Sequence, residues 1–451
     1  MKPNISVLGT GYLGVTHAAG LAEMGFDVIG VDVDAAKVAR LARGEVPFHE
    51  PGLDDLVRTH TESGRLRFTT DHSEAAAFAD VHFLSVGTPQ SADGEAADLR
   101  YVDAAIDMLA PHLNRPCLVV GKSTVPVGTA ARLTDRLTAL APAGHTVELA
   151  WNPEFLREGH AVADTIAPDR IVVGVGSDVA EKLLREVYAD ILERGTPFLV
   201  TDLATAELVK VAANSFLATK ISFINAMAEV CEAAGADVTT LARALGHDAR
   251  IGHRFLHAGV GFGGGCLPKD VRAFRARARE LGGEGAAALL GEVDSINVRA
   301  RARTLDLVRD SLGGEPAGHR IAVLGAAFKP GTDDVRDSPA LAVATAVARA
   351  GAEVTVYDPM VRSAGAAACP GLTFSGSLEA AVTDADLVLL LTEWEEFRMA
   401  DPRLLAAWVR TPRLVDGRNA LDHQAWAAAG WSVRAPGRAP VAGQPSRDGA
   451  A

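Results

Sequence analysis

Cys266 closes a glycine-dense stretch, GVGFGGGCLPKD from Gly259 to Asp270, in which five of the first seven residues are glycine. Backbone so bare lets a ligand lie directly against main-chain N–H groups. Pro268 suits the first turn of a helix, which would put Cys266 just outside that helix's N-terminus with Lys269 beside it. The helix dipole and the ammonium both favour thiolate over thiol, the condition for a nucleophile. Asp270 can face the same side of the turn and manage a proton near the sulfur. A lone cysteine is more often inert core, but a core cysteine sits inside an apolar periodic segment. This one lies between a glycine loop and two charges. Cys266 is therefore read as the reactive thiol, and Cys117, Cys231 and Cys369 as packing residues.

The second stretch that could do chemistry is GTGYLG at residues 9 to 14, between an apolar strand and a helical pattern. Gly9 allows the tight turn, Gly11 lets a pyrophosphate approach the helix N-terminus, and Gly14 permits close packing of helix on strand. The following strand ends at Asp32, eighteen residues beyond Gly14. A carboxylate there accepts hydrogen bonds from the ribose hydroxyls of NAD and repels the extra phosphate of NADP. Strand, glycines, helix, strand and acid in this order point to a dinucleotide site.

Strands expected near 80–86, 117–121, 146–151 and 170–175 alternate with helical stretches, which predicts a parallel doubly wound α/β sheet. Ligands bind beyond the carboxyl ends of such strands, where VGTP, KSTVPVGT and NPEFLREG fall. Thr88, Thr124, Glu154 and Glu158 are thus placed at one rim. For Thr124 a ligand contact and a helix cap are equally good readings. Glu154 and Glu158, four apart, would repel each other on a helix.

Thr201 or Asp202 can cap a helix that runs without proline or glycine to about Ala234, roughly 48 Å at 1.5 Å per residue. That length suits a connector between domains and pairing with a second copy. It carries Lys210 and Asn214 on one face; a lysine there either snorkels to solvent or serves as an active-site ammonium. A basic connection with Arg250, His253, Arg254 and His257 follows, consistent with phosphates or with a solvated face. Glycines and Pro316 near residue 314 mark a domain boundary. Beyond it a second nucleotide-binding-like half begins, with Lys329 and Arg336 on its first strand-to-helix loop, where a phosphate belongs, and Arg418 at its ligand edge. The expected domains are 1–200, 201–314 and 315–433, with a structureless tail over 434–451.

The formal charge of −13 argues against nucleic-acid or anionic-membrane partners. Four cysteines without CxxC spacing suggest neither a disulfide framework nor a metal site, and fit a reducing compartment. With neither a signal segment nor a membrane span in the pattern, a cytoplasmic protein is expected.

Taken together, GTGYLG, VGTP, STVPVGT, NPEFLREG, LVKVAANSFLATKISFIN, RIGHRFLHAGVGFGGGCLPKD, FKPGTDDVRDSP and DGRNAL resemble the UDP-glucose/GDP-mannose dehydrogenase family over residues 4 to about 433. The resemblance implies two Rossmann-like domains joined by a long central helix within a helical dimerisation region. It also implies a homodimer or higher homo-oligomer. The implied reaction is an NAD-dependent, four-electron oxidation of a sugar C6 alcohol to the carboxylate, with UDP-glucose giving UDP-glucuronate. GDP-mannose or another UDP-hexose is the alternative. By the same resemblance Cys266 captures the C6 aldehyde as a thiohemiacetal that becomes a thioester. Lys210 and Asn214 stabilise the oxyanion, and Asp270 and Thr124 handle water and protons. Glu154 or Glu158 assists hydrolysis, and the pattern does not choose between them. The family pattern sets Leu13, Asp32, Lys37, Thr88, Thr124, Glu158, Lys269 and Arg336 near NAD. Near the sugar nucleotide it sets Glu154, Phe155, Leu156, Arg157, Glu158, Lys210, Asn214, Phe255, Leu256, His257, Ala258, Gly259, Phe262, Gly263 and Lys329. Arg250 is implied to reach a partner subunit's site, and Arg418 is a further phosphate-side residue.

Overall fold

In the computed structural model, which describes residues 2–361 and 369–443, the chain divides into two compact units. The first takes the described residues up to Ala213 together with Ala273–Gly283; the second takes Asn214–Arg272 and the described residues from Glu284 onward.

The first unit is built on strands β1 (Ile5–Leu8), β2 (Val28–Val31), β3 (Leu66–Thr69), β4 (Val81–Leu84), β5 (Cys117–Gly121), β6 (Val147–Trp151), β7 (Ile171–Gly174) and β8 (Phe198–Thr201). Their spatial order is β3-β2-β1-β4-β5-β6-β7-β8. Strands β1 to β6 run parallel, and Trp151 pairs antiparallel with Gly174, so β7 and β8 run the other way. Valine, isoleucine and leucine runs suit strands buried on both faces. Alternation sends Ile5 and Val7 into one apolar layer and Leu8, with Ile29 and Val31, into the opposite one. The order reverses between β2-β1 and β1-β4, and it is beyond such a switch point that ligands bind.

The second unit holds β9 (Arg320–Leu324), β10 (Glu353–Tyr357), β11 (Thr373–Phe374), β12 (Leu387–Leu390), β13 (Arg413–Asp416) and β14 (Ser432–Arg434), all parallel in the order β11-β10-β9-β12-β13-β14. A helix of 32 residues, Leu203–Ala234, begins in the first unit and ends in the second. Asp202 caps it by accepting the Thr205 N–H at 2.8 Å. Helices Val238–Gly246, Leu267–Glu280 and Glu284–Leu312 follow.

The expected tail from residue 434 differs from what is found. Val433 and Val441 bridge each other, Ala435 is buried, and the Gly437 N–H donates to Glu232 at 2.7 Å. A Cβ on Gly437 would lie 2.6 Å from a Val238 methyl, so glycine is what lets this segment dock. Residues 444–451, the remainder of that expected tail, lie outside the described residues.

Candidate active site

In the first unit the GTGYLG turn has the geometry a dinucleotide needs. Gly9 sits at φ 89°, and a Cβ on Gly14 would fall 1.8 Å from the Gly9 carbonyl oxygen. A Cβ on Gly11 would meet nothing within 4 Å, and the helix Tyr12–Glu23 that it starts has no side-chain cap, the arrangement a helix N-terminus needs to receive a phosphate. Leu13 is half-buried in the first turn. Asp32 accepts the Thr10 N–H and hydroxyl, each at 2.9 Å, and pairs with Lys37 at 2.9 Å. Burial pushes this carboxyl upward, but the hydrogen bonds from Lys37, Asp34 and Thr10 outweigh it and hold it below its ordinary value. Asp32 therefore stays ionised while bracing the turn.

The rim loops after β4, β5 and β6 lie beyond the same edge. The Thr88 hydroxyl donates to the Thr124 carbonyl at 2.8 Å, tying two of them together. The stretch from Asn152 through Arg157 is irregular loop, so the repulsion expected of Glu154 and Glu158 at helical spacing does not arise. Glu154 instead accepts the Leu156 N–H at 2.6 Å with one oxygen and pairs with Lys210 at 3.0 Å with the other. Lys210 is buried, and its ammonium also lies 5.5 Å from the Phe155 ring centre, so the snorkelling alternative does not hold. The Arg170 guanidinium stacks 3.8 Å from that same ring. Arg157 turns outward to a bidentate pair with Asp164.

Several residues that organise this rim were not singled out from sequence. Lys122 is buried and donates to Asn152 at 3.0 Å; burial pushes it down to about 8. The Tyr188 hydroxyl donates to the same Asn152 oxygen at 2.5 Å. Glu50 accepts the N–H groups of Gly159 and Ala161, at 2.7 and 2.6 Å, and the Tyr12 hydroxyl, so it anchors the end of the Glu154 loop to the dinucleotide turn. Lys122 and Asn152 open the motifs KSTVPVGT and NPEFLREG, the one local hint of their presence; Glu50 and Tyr188 carried none.

In the second unit Cys266 stands immediately before the helix Leu267–Glu280, its carbonyl accepting the Asp270 N–H at 3.0 Å. It is exposed, whereas Cys231 is buried and Cys117 and Cys369 are half-buried. Asp270 is 2% exposed; one oxygen accepts the Asn214 amide at 2.7 Å and the other the Lys269 ammonium. The glycine loop is pinned residue by residue. Asn225 accepts the Gly259 N–H at 2.8 Å, and the fully buried Asn297 accepts the Phe262 N–H at 2.7 Å and donates to its carbonyl at 3.0 Å. Cβ atoms on Gly261 or Gly263 would strike Asn297 or the Asp337 carbonyl at 2.3 and 2.4 Å. Those residues are glycine because other backbone and side chains crowd them. Leu256 and Ala258 are buried, His257 is exposed, and Phe255 takes φ 64°, a strained value for a non-glycine residue.

Arg418 reaches three carbonyls, Leu391 at 2.7 Å, Phe328 at 3.0 Å and Gly261 at 3.3 Å, stitching the glycine loop to the loops after β9 and β12. Arg336 forms a bidentate pair with Asp334 and lies where a Gly265 side chain would be. Lys329 sits half-buried on the β9 loop, 5.6 Å from the Phe328 ring. Arg250 is exposed and paired with Asp248 at 2.6 Å. Among the described residues no cluster of three or more His, Cys, Asp or Glu could hold a metal ion, and no helix is long and apolar enough to cross a membrane.

Comparison with known proteins matches three successive segments of the chain. Residues 3–192, 204–299 and 322–423 match, in turn, the NAD binding, central and UDP binding domains of the UDP-glucose/GDP-mannose dehydrogenase family. The chain is 42% identical over 443 residues to a UDP-glucose 6-dehydrogenase of Pseudomonas aeruginosa, covering 96% of this chain and 97% of that one. It is 43% identical over 417 residues to one from Rhizobium meliloti, covering 92% and 95%. A solved UDP-glucose dehydrogenase from the archaeon Pyrobaculum islandicum superposes with a TM-score of 0.88 at 39% identity, covering 94% of this chain and 96% of that one.

Proposed function

This chain belongs to the UDP-glucose/GDP-mannose dehydrogenase family, and from that premise we propose that it oxidises the C6 alcohol of UDP-glucose to UDP-glucuronate in two steps. It is an NAD-dependent oxidoreductase; NAD, when bound, supplies the hydride acceptor. One observation carries the reading. The only exposed cysteine among the described residues, Cys266, ends a glycine loop and starts a helix beside the Asp270–Asn214 pair.

In this reading the C6 hydroxyl first loses its proton and the carbon one hydride, leaving an aldehyde; the Cys266 thiolate then adds to it, so that a C–S bond forms and the carbonyl oxygen becomes an oxyanion that Lys210 and Asn214 stabilise. Loss of the remaining C6 hydride from that thiohemiacetal leaves a thioester. Water then adds, the C–S bond breaks, and carboxylate and thiolate are released. Glu154 is our choice over Glu158 for taking the proton from that water, because its ion pair with Lys210 at 3.0 Å ties it to the oxyanion ammonium. Asp270 and Thr124 orient water. Gly9, Gly11, Leu13, Gly14, Asp32 and Lys37, with Thr88 and Arg336, hold the dinucleotide; Phe255 to Gly259, Phe262, Gly263 and Lys329 hold the sugar nucleotide. Arg418, whose guanidinium is taken by three carbonyls, shapes that second site.

Incubation with NAD and a panel of UDP-glucose, GDP-mannose and other UDP-hexoses, followed by nicotinamide absorbance, tests the substrate. Two NADH per UDP-glucose are expected; turnover of GDP-mannose in place of UDP-glucose, or one NADH per sugar, overturns the proposal.

The same reading includes a homodimer through the long helix. Phe216, Phe223 and Val230 recur every seven residues and are 66%, 47% and 56% exposed, an apolar stripe suited to a second copy. Sedimentation giving a monomer at micromolar concentration would refute it. A free thiol persists readily in a reducing compartment, in keeping with a cytoplasmic enzyme.

A further inference from the structure

We propose that Glu207 is a positioning residue for the oxidation, fixing the rim turn at residues 126–130 to the helix that carries Lys210; this role rests on the reading of Thr124 and Lys210 as working residues. Glu207 stands one helical turn before Lys210 and is 2% exposed. Its two oxygens accept the N–H groups of Gly128 at 2.7 Å and Ala130 at 2.6 Å. Those amides belong to the start of the helix Thr129–Leu140, which has no side-chain cap of its own. Gly128 adopts φ 97°, so the turn is one that an ordinary residue resists.

From the other side the Arg277 guanidinium donates to the Val127 carbonyl at 3.0 Å. The turn is thus held by a carboxylate on its amides and a guanidinium on its carbonyl. A local serine at the cap position would satisfy one of these amides without burying a charge. A buried glutamate is a costlier solution, tolerated only with full hydrogen bonding. What it adds is location. The segment that follows Thr124 is set directly against the helix turn that presents Lys210, and Thr88 ties Thr124 onward to the next loop. A clamp of this kind holds two working groups at fixed separation, where an error of about 1 Å costs roughly 100-fold in rate.

The test uses the full chain with Glu207→Gln, which keeps the shape and one acceptor, and Glu207→Ala, which removes both. Amide exchange over residues 122–131, melting temperature, NAD affinity, and kcat and KM for the sugar nucleotide the panel identifies are measured for each. For Glu207→Gln the expected result is faster exchange confined to this segment and kcat lower by roughly 10- to 100-fold, with KM changed less than about threefold. Glu207→Ala should be worse, and if it does not fold, Glu207→Gln decides. Faster exchange or a lower melting temperature with kcat unchanged would mean an ordinary structural cap and overturn the proposal. Wild-type silence toward every sugar nucleotide would sink the proposed function and this role together, whereas wild-type turnover with an unimpaired variant sinks this role alone.

Discussion

The Asn214 amide donates to the Asp270 carboxylate at 2.7 Å, joining the long helix to the first turn of the helix that follows Cys266. Both side chains are buried, and the second Asp270 oxygen is occupied by Lys269, so the carboxylate is held in one orientation. Breaking either partner strands a buried polar group, which costs about 1–3 kcal/mol. Asn214→Ala and Asp270→Ala should each lower urea stability by about that much and kcat by at least tenfold. Stopped-flow kinetics and urea titration check this, and the double variant should lose less than the sum, because the two act on one bond.

A side chain at Gly265 is predicted to push the Arg336 guanidinium aside. A Cβ there would lie 2.4 Å from the Arg336 guanidinium carbon, and that group is held bidentately by Asp334. Gly265→Ala should displace that group from Asp334 and lower stability by less than about 1 kcal/mol, the worth of an exposed ion pair. In an Arg336→Ala background the same change should cost almost nothing, and thermal melting of the four proteins measures the difference.

Asp32 should set cofactor choice. Asp32→Asn keeps the volume but removes the charge that pairs with Lys37, and it weakens the bond to Thr10 that braces the glycine turn. NAD affinity is expected to fall about tenfold and the preference over NADP to narrow, since the carboxylate both accepts from the ribose and repels a phosphate. Fluorescence titration with each dinucleotide reads both effects.

The features legible from residue types and spacing are those set by neighbours in the chain. The glycine fingerprint, Asp32, and the cysteine before Pro268 all announce themselves within a few positions. Glu207 and Glu50 do not. Their partners are amides 77 to 111 residues away, and a glutamate in a helix or loop otherwise reads as a solvated charge. Asn297 was hidden likewise, since its partner Phe262 lies 35 residues earlier. Glu154 and Glu158 misled through helical spacing in a stretch that is loop. The segment 434–443 misled through composition, because a glycine that looks like a linker residue is what fits beside Val238.

Glu207 also predicts a pH dependence of stability. Burial raises its carboxyl from 4.5 to about 7 in the folded chain, against the lowering effect of the Ala130 and Gly128 amides and of Arg277. The folded state therefore holds the proton more tightly than the unfolded one. Its contribution is fully present below pH 4.5 and is lost as pH rises to about 7, amounting to on the order of 3 kcal/mol at most. Chemical denaturation between pH 5 and 7.5 should show this decline in the wild type and a flatter profile in Glu207→Gln.

The nucleophile assignment to Cys266 is tested most directly by replacing that residue with serine, which removes the thiolate and leaves the glycine loop and the Asp270 pair in place. With UDP-glucose and NAD supplied, Cys266→Ser should bind NAD as the wild type does and release no UDP-glucuronate over the time in which the wild type converts all of its substrate. UDP-glucuronate formed by that variant at the wild-type rate would contradict the assignment.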